Sequence, residues 1–289
     1  MTTKISYPPS IEGSEFGFTR YLYVIDDVKS SLVMALLDRN LDEALFWGYE
    51  LYFSGFQEIV LGLLHLMVES MYSTLNPHLD KFLKKKKAEW DENKTYATVG
   101  TFIYNMIGRP YDITSFVIDY CNDAKLAEII GQNAGNGISK KSFSKIFIVI
   151  EPKDVKKYIT VNHAKPHYLL RCVVKYQVRK NTLAIFDHEH GIYTHAQLQS
   201  LYWYRWLYYA CSSPIWLDRV TKYGGVLNHE HRRIDFATYE QDEEFHNKYN
   251  LEPDEQPQSI QNMNIGIGTE DQISWQEFYE KYAIGKTSE

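Results

Sequence analysis

The chain has 289 residues, of which 44% are hydrophobic and 15% aromatic, including 23 Tyr. This length and composition suit one large domain or two smaller ones and exclude general disorder. The net charge of −6 is unevenly spread, because residues 235–289 hold thirteen acidic residues and three lysines while residues 1–234 carry +4. The pattern predicts a mildly basic body with an acidic tail, which contacts a basic partner, folds back on the body or serves solubility.

The cysteine content and the hydropathy of the chain indicate the cellular compartment in which it is expected. The three cysteines, Cys121, Cys172 and Cys211, are odd in number and far apart, which favours a reducing compartment and no disulfide. Residues 1–10 are polar and contain proline, unlike a secretion signal. The best candidate for a membrane span, residues 59–68, is too short to cross a bilayer. We therefore expect an intracellular protein without a membrane segment.

The first half of the chain has the pattern of an antiparallel helical bundle or stack. Apolar periodicity and capping residues predict successive helices, which lie at residues 26–38, 42–54, 57–72 and from 76 onward. Short connections between them favour antiparallel neighbours. Residues 42–54 are apolar nearly all round, so this helix is expected in the middle of the bundle. Gly55 is expected to end it in the left-handed conformation.

The second half mixes strand and helix signals. Residues 131–141 are polar and glycine-rich and mark a domain boundary. Residues 145–150 and 169–178 are rich in β-branched side chains and are predicted to be strands, with residues 182–186 pairing back on the second. The other predicted elements are helices at residues 95–107, 123–132, 194–209, 213–224, 239–249 and 274–282 and a hairpin within 226–236.

These elements predict an α+β fold that is mainly α. An N-terminal antiparallel helical block occupies residues 1–132, and a linker follows at residues 133–144. A smaller mixed region is expected at residues 145–234, and an acidic tail with short helices at residues 235–289.

Histidines supply the candidate metal site. His188 and His190 form one His-x-His pair, and His229 and His231 form a second. On a strand, residues two apart share a face, so each pair can offer two imidazoles to one ion such as zinc. Both pairs fall in predicted turns and lack the H-E-x-x-H or C-x-x-C context of zinc sites. Exposed turn histidines are the alternative.

A run of lysines supplies the candidate nucleic-acid site. Its members are Lys81, Lys84, Lys85, Lys86 and Lys87. Such a cluster can contact phosphate groups without reading base sequence. Lysines near the carboxyl end of a helix are also favoured by the helix dipole and by hydration, so a solvated helix end is the alternative.

The tail contains a segment typical of docking peptides. Two prolines bracket acidic residues within residues 250–262, and such segments commonly order when they bind another protein. The alternative is a plain connector to the short helix at residues 274–282. The predicted partner-binding residues are Glu252, Pro253, Asp254, Glu255, Gln256 and Trp275.

The sequence shows no catalytic or cofactor motif. The glycine-rich residues 131–142 lack the G-x-x-x-x-G-K-[ST] spacing of a phosphate-binding loop. The serine pairs at residues 30–31 and 212–213 lack a nucleophile-elbow context. Cys172 and Cys211 have the contexts of small apolar fillers rather than nucleophiles. The sequence therefore predicts no cofactor and favours a protein without enzymatic activity.

Three segments resemble one known family. They are residues 21–56 (YLYVIDDVKSSLVMALLDRNLDEALFWGYELYFSGF), 208–225 (YYACSSPIWLDRVTKYGG) and 244–256 (EFHNKYNLEPDEQ). They are similar to an uncharacterised protein family of nucleocytoplasmic large DNA viruses, the giant viruses. That family has no assigned activity, so the resemblance carries over no functional residue. It implies a role in viral replication, transcription, translation takeover or the particle, located in the host cytoplasm, a viral factory or the virion.

These features together predict a non-enzymatic viral interaction or scaffold protein that acts through helical and tail surfaces in a protein assembly. Its partner is expected to be another protein, viral or host, and no membrane contact is expected. The first alternative is a nucleic-acid-binding accessory factor of viral replication or transcription, which uses the lysine run with Arg232 and Arg233. The second alternative is a metal-dependent enzyme built on the two His-x-His pairs.

Overall fold

The computed structural model of the chain describes residues 16–121, 124–133, 145–159, 162–179, 193–267 and 274–283. Within these residues the chain is mainly α-helical and contains a single two-stranded sheet. The predicted α+β, mainly α class is therefore confirmed. None of the helices in these ranges combines the length and the apolar character that crossing a bilayer requires.

The first five helices form the N-terminal stack. They are α1 (Ile25–Leu37), α2 (Leu41–Ser54), α3 (Gln57–Met67), α4 (Pro77–Asn93) and α5 (Ala97–Ile107), with a π-helical turn at Val68–Tyr72 after α3. The side chain of Asn40 caps α2 by accepting a hydrogen bond from the N–H of Glu43. Gly55, at φ 103°, ends α2 in the left-handed conformation as predicted, because glycine has no Cβ to clash there.

The helix α2 lies in the middle of the stack, as its sequence predicts. It packs against α1, α3 and α5. Trp47, Tyr49 and Leu51 on this helix are 0% exposed, and the ring of Trp47 meets that of Tyr23 edge-on at 4.9 Å. The aromatic side chains of α2 are thus enclosed by neighbouring elements.

The second half of the chain adds shorter elements. They are α6 (Thr114–Tyr120), α7 (Ala124–Asn133), a 3₁₀ turn (Pro152–Tyr158), α8 (Pro166–Val173), α9 (His195–Tyr204), α10 (Trp206–Ala210), α11 (Pro214–Lys222), β1 (Gly225–Asn228), β2 (Arg233–Phe236), α12 (Tyr239–Tyr249), a second 3₁₀ turn (Pro253–Glu255), α13 (Gln258–Ile265) and α14 (Trp275–Tyr282). Strands β1 and β2 pair antiparallel, with Val226 opposite Asp235. The predicted hairpin is therefore confirmed.

The strand predicted at residues 169–178 is wrong, because α8 occupies its first half. Pro166 lies in the first turn of α8 and presets a helical φ. Leu170 and Val173, three residues apart, are the buried positions of this helix, which is helical rather than strand spacing. The partner strand predicted at residues 182–186 lies outside the described residues.

The strand predicted at residues 145–150 is extended but belongs to no sheet among the described residues. Its backbone bonds to side chains of α5 instead of to another strand. The preceding linker, predicted at residues 133–144, lies outside the described residues except for its first residue, which ends α7.

The described part of the acidic tail folds back on the body. Phe245, Ile265 and Phe278 are 0% exposed and belong to the same hydrophobic core as the N-terminal helices. The amide of Asn264 donates a hydrogen bond of 2.8 Å to the carbonyl of Tyr21, on the segment that precedes α1. The charge pattern left three alternatives for the tail: contact with a basic partner, folding back on the body, or a role in solubility. The structure shows folding back.

A buried ion pair joins the segment before α1 to the helices. Arg20 Nε donates to Glu50 Oε2 at 2.9 Å, and the two side chains are 8% and 1% exposed. Arg20 Nη2 also donates to the carbonyl of Tyr158 at 3.2 Å. Because a buried charge must be paired and hydrogen-bonded, this pair holds the segment before α1, α2 and the first 3₁₀ turn in one arrangement.

Replacing Phe278 by Ala should lower the free energy of unfolding by about 3–5 kcal/mol, because its buried ring packs against Phe116 and Trp275. Urea denaturation measures this change. Tyr239→Ala is the control, since Tyr239 is 74% exposed and its loss should change that free energy by at most about 0.5 kcal/mol. Equal effects of the two substitutions would contradict the placement of the tail in the core.

Candidate interaction site

Residues 145–150 form the edge segment, an extended stretch that lies along α5. The side-chain amide of Asn105 accepts a hydrogen bond from the N–H of Ile148 at 3.0 Å and donates one to the Ile148 carbonyl at 2.6 Å. This reciprocal pair of bonds is what a neighbouring strand would otherwise provide. Asn105 is 3% exposed, so the polar groups of its own side chain are costly to leave unsatisfied.

Two further side chains continue the contact along α5. Thr101 Oγ1 accepts from the N–H of Ile150 at 3.1 Å, and Arg109 Nη2 donates to the carbonyl of Ile146 at 2.7 Å. Thr101 lies four residues before Asn105 on the same face of α5, and Arg109 follows the end of the helix at Ile107. Burial lowers the pKa of the Arg109 guanidinium, which stays charged because guanidinium groups titrate far above neutral pH.

The bonds to α5 use alternate residues of the edge segment. In an extended chain the N–H and carbonyl of one residue point to one side and those of the next residue to the other. Ile146, Ile148 and Ile150 face α5, so the backbone of Phe147 and Val149 faces away. Neither of these two residues forms a hydrogen bond within the described part of the chain. The edge segment is thus a strand with one satisfied edge and one open edge.

The side chains along the open edge are apolar and largely accessible. Ile146, Ile148 and Val149 are 79%, 47% and 55% exposed. Phe147 instead stacks on Phe82 of α4, with ring centroids 4.4 Å apart and planes at 7°. Contiguous exposed apolar residues mark contact surfaces, and an open strand edge is a template for pairing with another chain.

The predicted nucleic-acid residues lie on α4, and most of them are paired with carboxylates. The ion pairs join Lys84 to Asp80 and Glu69, Lys85 and Lys86 to Glu89, and Lys87 to Asp91 and Glu58. Lys81 is exposed and has no ion pair with a described residue. Because carboxylates neutralise most of the run, it offers no concentrated positive field for phosphates. Nucleic-acid binding stays a prediction that this arrangement does not favour.

The described histidine pair lies in the turn between β1 and β2. Tyr208 OH and His229 Nδ1 are 2.9 Å apart, and His231 Nδ1 lies 3.3 Å from Asn228 Oδ1. Among the residues that the structure describes, no group of three or more His, Cys, Asp or Glu side chains is placed to hold a metal ion. The other predicted ligands lie outside those residues and are His188 and His190.

The predicted docking segment of the tail is an ordered turn. Glu252 adopts a left-handed φ of 44° and leads into the 3₁₀ turn Pro253–Glu255. The side-chain amide of Gln256 donates to the carbonyl of His167 at 2.9 Å and accepts from Arg171 Nε at 3.1 Å. These bonds fix the turn against α8 without a partner protein.

Exposure divides the predicted partner-binding residues into two groups. The buried members, which serve the fold, are Pro253, Gln256 and Trp275. The members whose side chains reach the surface are Asp254 and Glu255, which are exposed, and Glu252, which is half-buried. The partner-binding prediction remains for this second group.

An ionic cluster at the start of α2 anchors the residues that follow the edge segment. Asp42 pairs with Lys175 and accepts from Tyr176 OH at 2.6 Å and Tyr158 OH at 3.1 Å. The bonds from Lys175 and Tyr176 hold the pKa of Asp42 well below its usual range. A carboxylate held so firmly in its ionised form is a weak general base. Burial raises the pKa of Tyr158, so at neutral pH the carboxylate of Asp42 stays ionised and the hydroxyl of Tyr158 stays protonated.

Sequence reasoning missed the side chains that hold the edge segment. The available signal is the placement of Thr101 and Asn105, four residues apart in an otherwise apolar helix. Buried polar side chains need hydrogen-bond partners. Both also donate to carbonyls of their own helix, Thr101 to Ala97 and Asn105 to Thr101, and their remaining groups need partners outside it. The sequence does not say which segment supplies those partners.

No family model, curated protein or solved structure matches the chain. The function is therefore argued from the residues of this chain, and the giant-virus resemblance stays an expectation.

Asn105→Ala removes both bonds to Ile148 and should lower the free energy of unfolding by about 1–3 kcal/mol, as measured by urea denaturation. Asn93→Ala is the matched control. Asn93 is exposed near the end of α4, where its amide bonds only to the carbonyl of Glu89, and its loss should cost no more than about 0.5 kcal/mol. A neutral Asn105→Ala would contradict the role of α5 in holding the edge segment.

Proposed function

We propose that this protein is a non-enzymatic interaction or scaffold protein of a viral assembly and that it binds another protein through the edge segment. The observation that carries the proposal is the open edge at Phe147 and Val149, flanked by exposed apolar side chains. In this recognition mode the backbone hydrogen bonds supply affinity, and the alternating side chains supply specificity.

The polar clusters support recognition rather than catalysis. Three ion pairs join Glu50 to Arg20, Glu43 to Arg179, and Asp42 to Lys175; the first is buried, the second is partly buried and the third is exposed. Each pair connects segments that are distant in sequence, so its evident role is to hold those segments together. Groups that are already paired in this way are poorly placed to exchange protons with a substrate.

The tail supplies a second, acidic contact in this proposal. Asp254 and Glu255 are exposed at a turn that is held rigid by Gln256 and Arg171. A rigid turn loses little conformational entropy on binding. Its charge would select a basic surface on the partner and steer the encounter.

The viral setting of the proposal rests on the resemblance of residues 21–56, 208–225 and 244–256 to the giant-virus family. It places the partner, viral or host, in the host cytoplasm, in a viral factory or in the virion. Deleting residues 235–289 is no clean test of the proposal, because Phe245, Phe278 and their neighbours belong to the core.

A charge placed on the open edge should prevent the partner protein from binding. Val149→Lys puts an ammonium group among the exposed apolar side chains, whereas Val226→Lys makes the same change on β1, where Val226 is 66% exposed. Affinity purification with cross-linking from expressing cells, followed by mass spectrometry, should recover a partner, either a different protein or an untagged second copy of this chain, with the wild-type and Val226→Lys chains. Recovery with Val149→Lys should fall by about ten-fold or more, which corresponds to a loss of about 1.4 kcal/mol of binding free energy.

Two results would overturn the proposal. One is equal recovery of the partner by both lysine variants, which would move the contact away from the edge segment. The other is a wild-type chain that binds no protein at all, neither a different protein nor another copy of itself.

A further inference from the structure

We infer that the occupant of the open edge is a second copy of this chain, paired antiparallel with the first across a two-fold axis at Ile148. The inference rests on the proposed function of the edge segment as a protein-binding site and names its partner. A two-fold axis presents the same groups from both copies, so a strand edge whose groups complement each other under that rotation can pair with itself.

The backbone groups of the edge segment fit this register. Phe147 and Val149 carry the N–H and carbonyl groups that face away from α5. In an antiparallel pair centred on Ile148, Phe147 of one copy lies opposite Val149 of the other. Such a pair exchanges both of its N–H···O bonds, and the two-fold axis repeats the exchange. The open groups of both residues are then satisfied, and the bonds of Ile148 to Asn105 are left intact.

The side chains of the edge segment also complement each other in this register. The opposed residues are Ile146 with Ile150, Phe147 with Val149, and Ile148 with itself. Each pair is apolar, and aromatic or β-branched pairs stabilise antiparallel strands. The next pair brings Lys145 opposite Glu151, which is still extended at φ −97° and ψ 155°. Opposite charges therefore flank the apolar pairs at both ends.

The charged pair is available for this contact. Lys145 is exposed, and Glu151 is 62% exposed. Glu151 accepts a hydrogen bond from the N–H of Asp154, which caps the first 3₁₀ turn. It is also paired with Lys153 at 2.6 Å, but Lys153 is itself 77% exposed. Because such an exposed ion pair contributes little stability, Glu151 can also interact with Lys145 of a second copy.

Neighbouring registers are less suitable. A shift of two residues in one direction places Lys145 opposite Val149, which sets a charged side chain against an apolar one. A shift in the other direction sets Phe147 opposite Glu151, whose N–H and carbonyl are already bonded to Asp154, so the open groups of Phe147 would stay unsatisfied. A shift of one residue sets the open groups against backbone groups that α5 already holds. The chain therefore favours the register centred on Ile148.

The contact is small, which sets the expected strength of the dimer. Stable dimers usually bury about 1,600 Å² of surface in total, and one short strand pair covers only a fraction of that area. The second copy should therefore associate weakly and in a concentration-dependent way. Monomers should predominate in dilute solution.

Sedimentation equilibrium of the full chain at concentrations up to about 1 mM tests the inference. The wild-type chain should show a reversible monomer–dimer equilibrium. Val149→Pro removes the N–H donor in both copies and should abolish the dimer, whereas Val149→Thr keeps that N–H and the β-branched shape and should retain it. Far-UV circular dichroism checks that both variants keep the helical fold.

A charge exchange tests the register without altering the backbone. Lys145→Glu sets two acidic residues against each other at both ends and should raise the dissociation constant by about ten-fold. Glu151→Lys should do the same with two lysines. An equimolar mixture of the two variants restores both opposite-charge pairs and should associate as tightly as the wild type, even if Val149→Pro fails to fold.

Several results would overturn the inference. They are a wild-type chain that stays monomeric at all concentrations, a dimer that a folded Val149→Pro leaves unchanged, and a variant mixture no tighter than either variant alone. If the wild-type chain is monomeric but recovers a different protein that Val149→Lys loses, the inference fails and the proposed function stands. If it is monomeric and recovers nothing, both fail.

Discussion

The edge segment depends on one constraint, which is that side chains at α5, instead of a strand, satisfy its extended backbone. Asn105 bonds both polar groups of Ile148, Thr101 bonds the N–H of Ile150, and Arg109, just after the end of α5, bonds the carbonyl of Ile146. A helix must offer such bonds through side chains, because its own backbone groups are used internally. Those side chains reach only the edge of the segment that faces the helix. The extended segment therefore gains one partner edge and no more. The open edge follows from this geometry.

The rest of the fold holds the edge segment at its C-terminal end. The first 3₁₀ turn follows the segment directly, and Tyr158 in that turn contributes its carbonyl to Arg20 and its hydroxyl to Asp42. The buried pair of Arg20 with Glu50 thus couples this turn to α2, the central helix of the stack. Breaking a buried ion pair leaves an uncompensated charge and is strongly destabilising. The segment is in this way anchored along α5 and at the turn that follows it.

Local signals in the sequence predicted the elements that depend on local chemistry. The left-handed Gly55, the helix α12 and the hairpin of β1 and β2 all follow from residues close together in the chain. The strand predicted at residues 169–178 failed because β-branched content was weighed above the proline start and the helical spacing of buried residues.

Contacts between residues that are distant in sequence could not be predicted from the sequence. β-branched residues predicted that residues 145–150 are extended, but the bonds from Thr101 and Asn105 come from more than 40 residues away. Charge and proline content predicted a docking peptide at residues 250–262, whereas the bond of Gln256 to His167 shows an integral turn. Such outcomes depend on tertiary packing, which composition does not encode.

Amide hydrogen exchange of the edge segment, followed by NMR in dilute solution, tests the central claim most directly. The amides of Ile148 and Ile150 are bonded to α5 and should exchange slowly. Those of Phe147 and Val149 face away from α5 and should exchange much faster. This alternation along one short segment is the predicted result. Uniform protection, or uniform fast exchange, of all four amides would contradict a strand with one satisfied edge and one open edge.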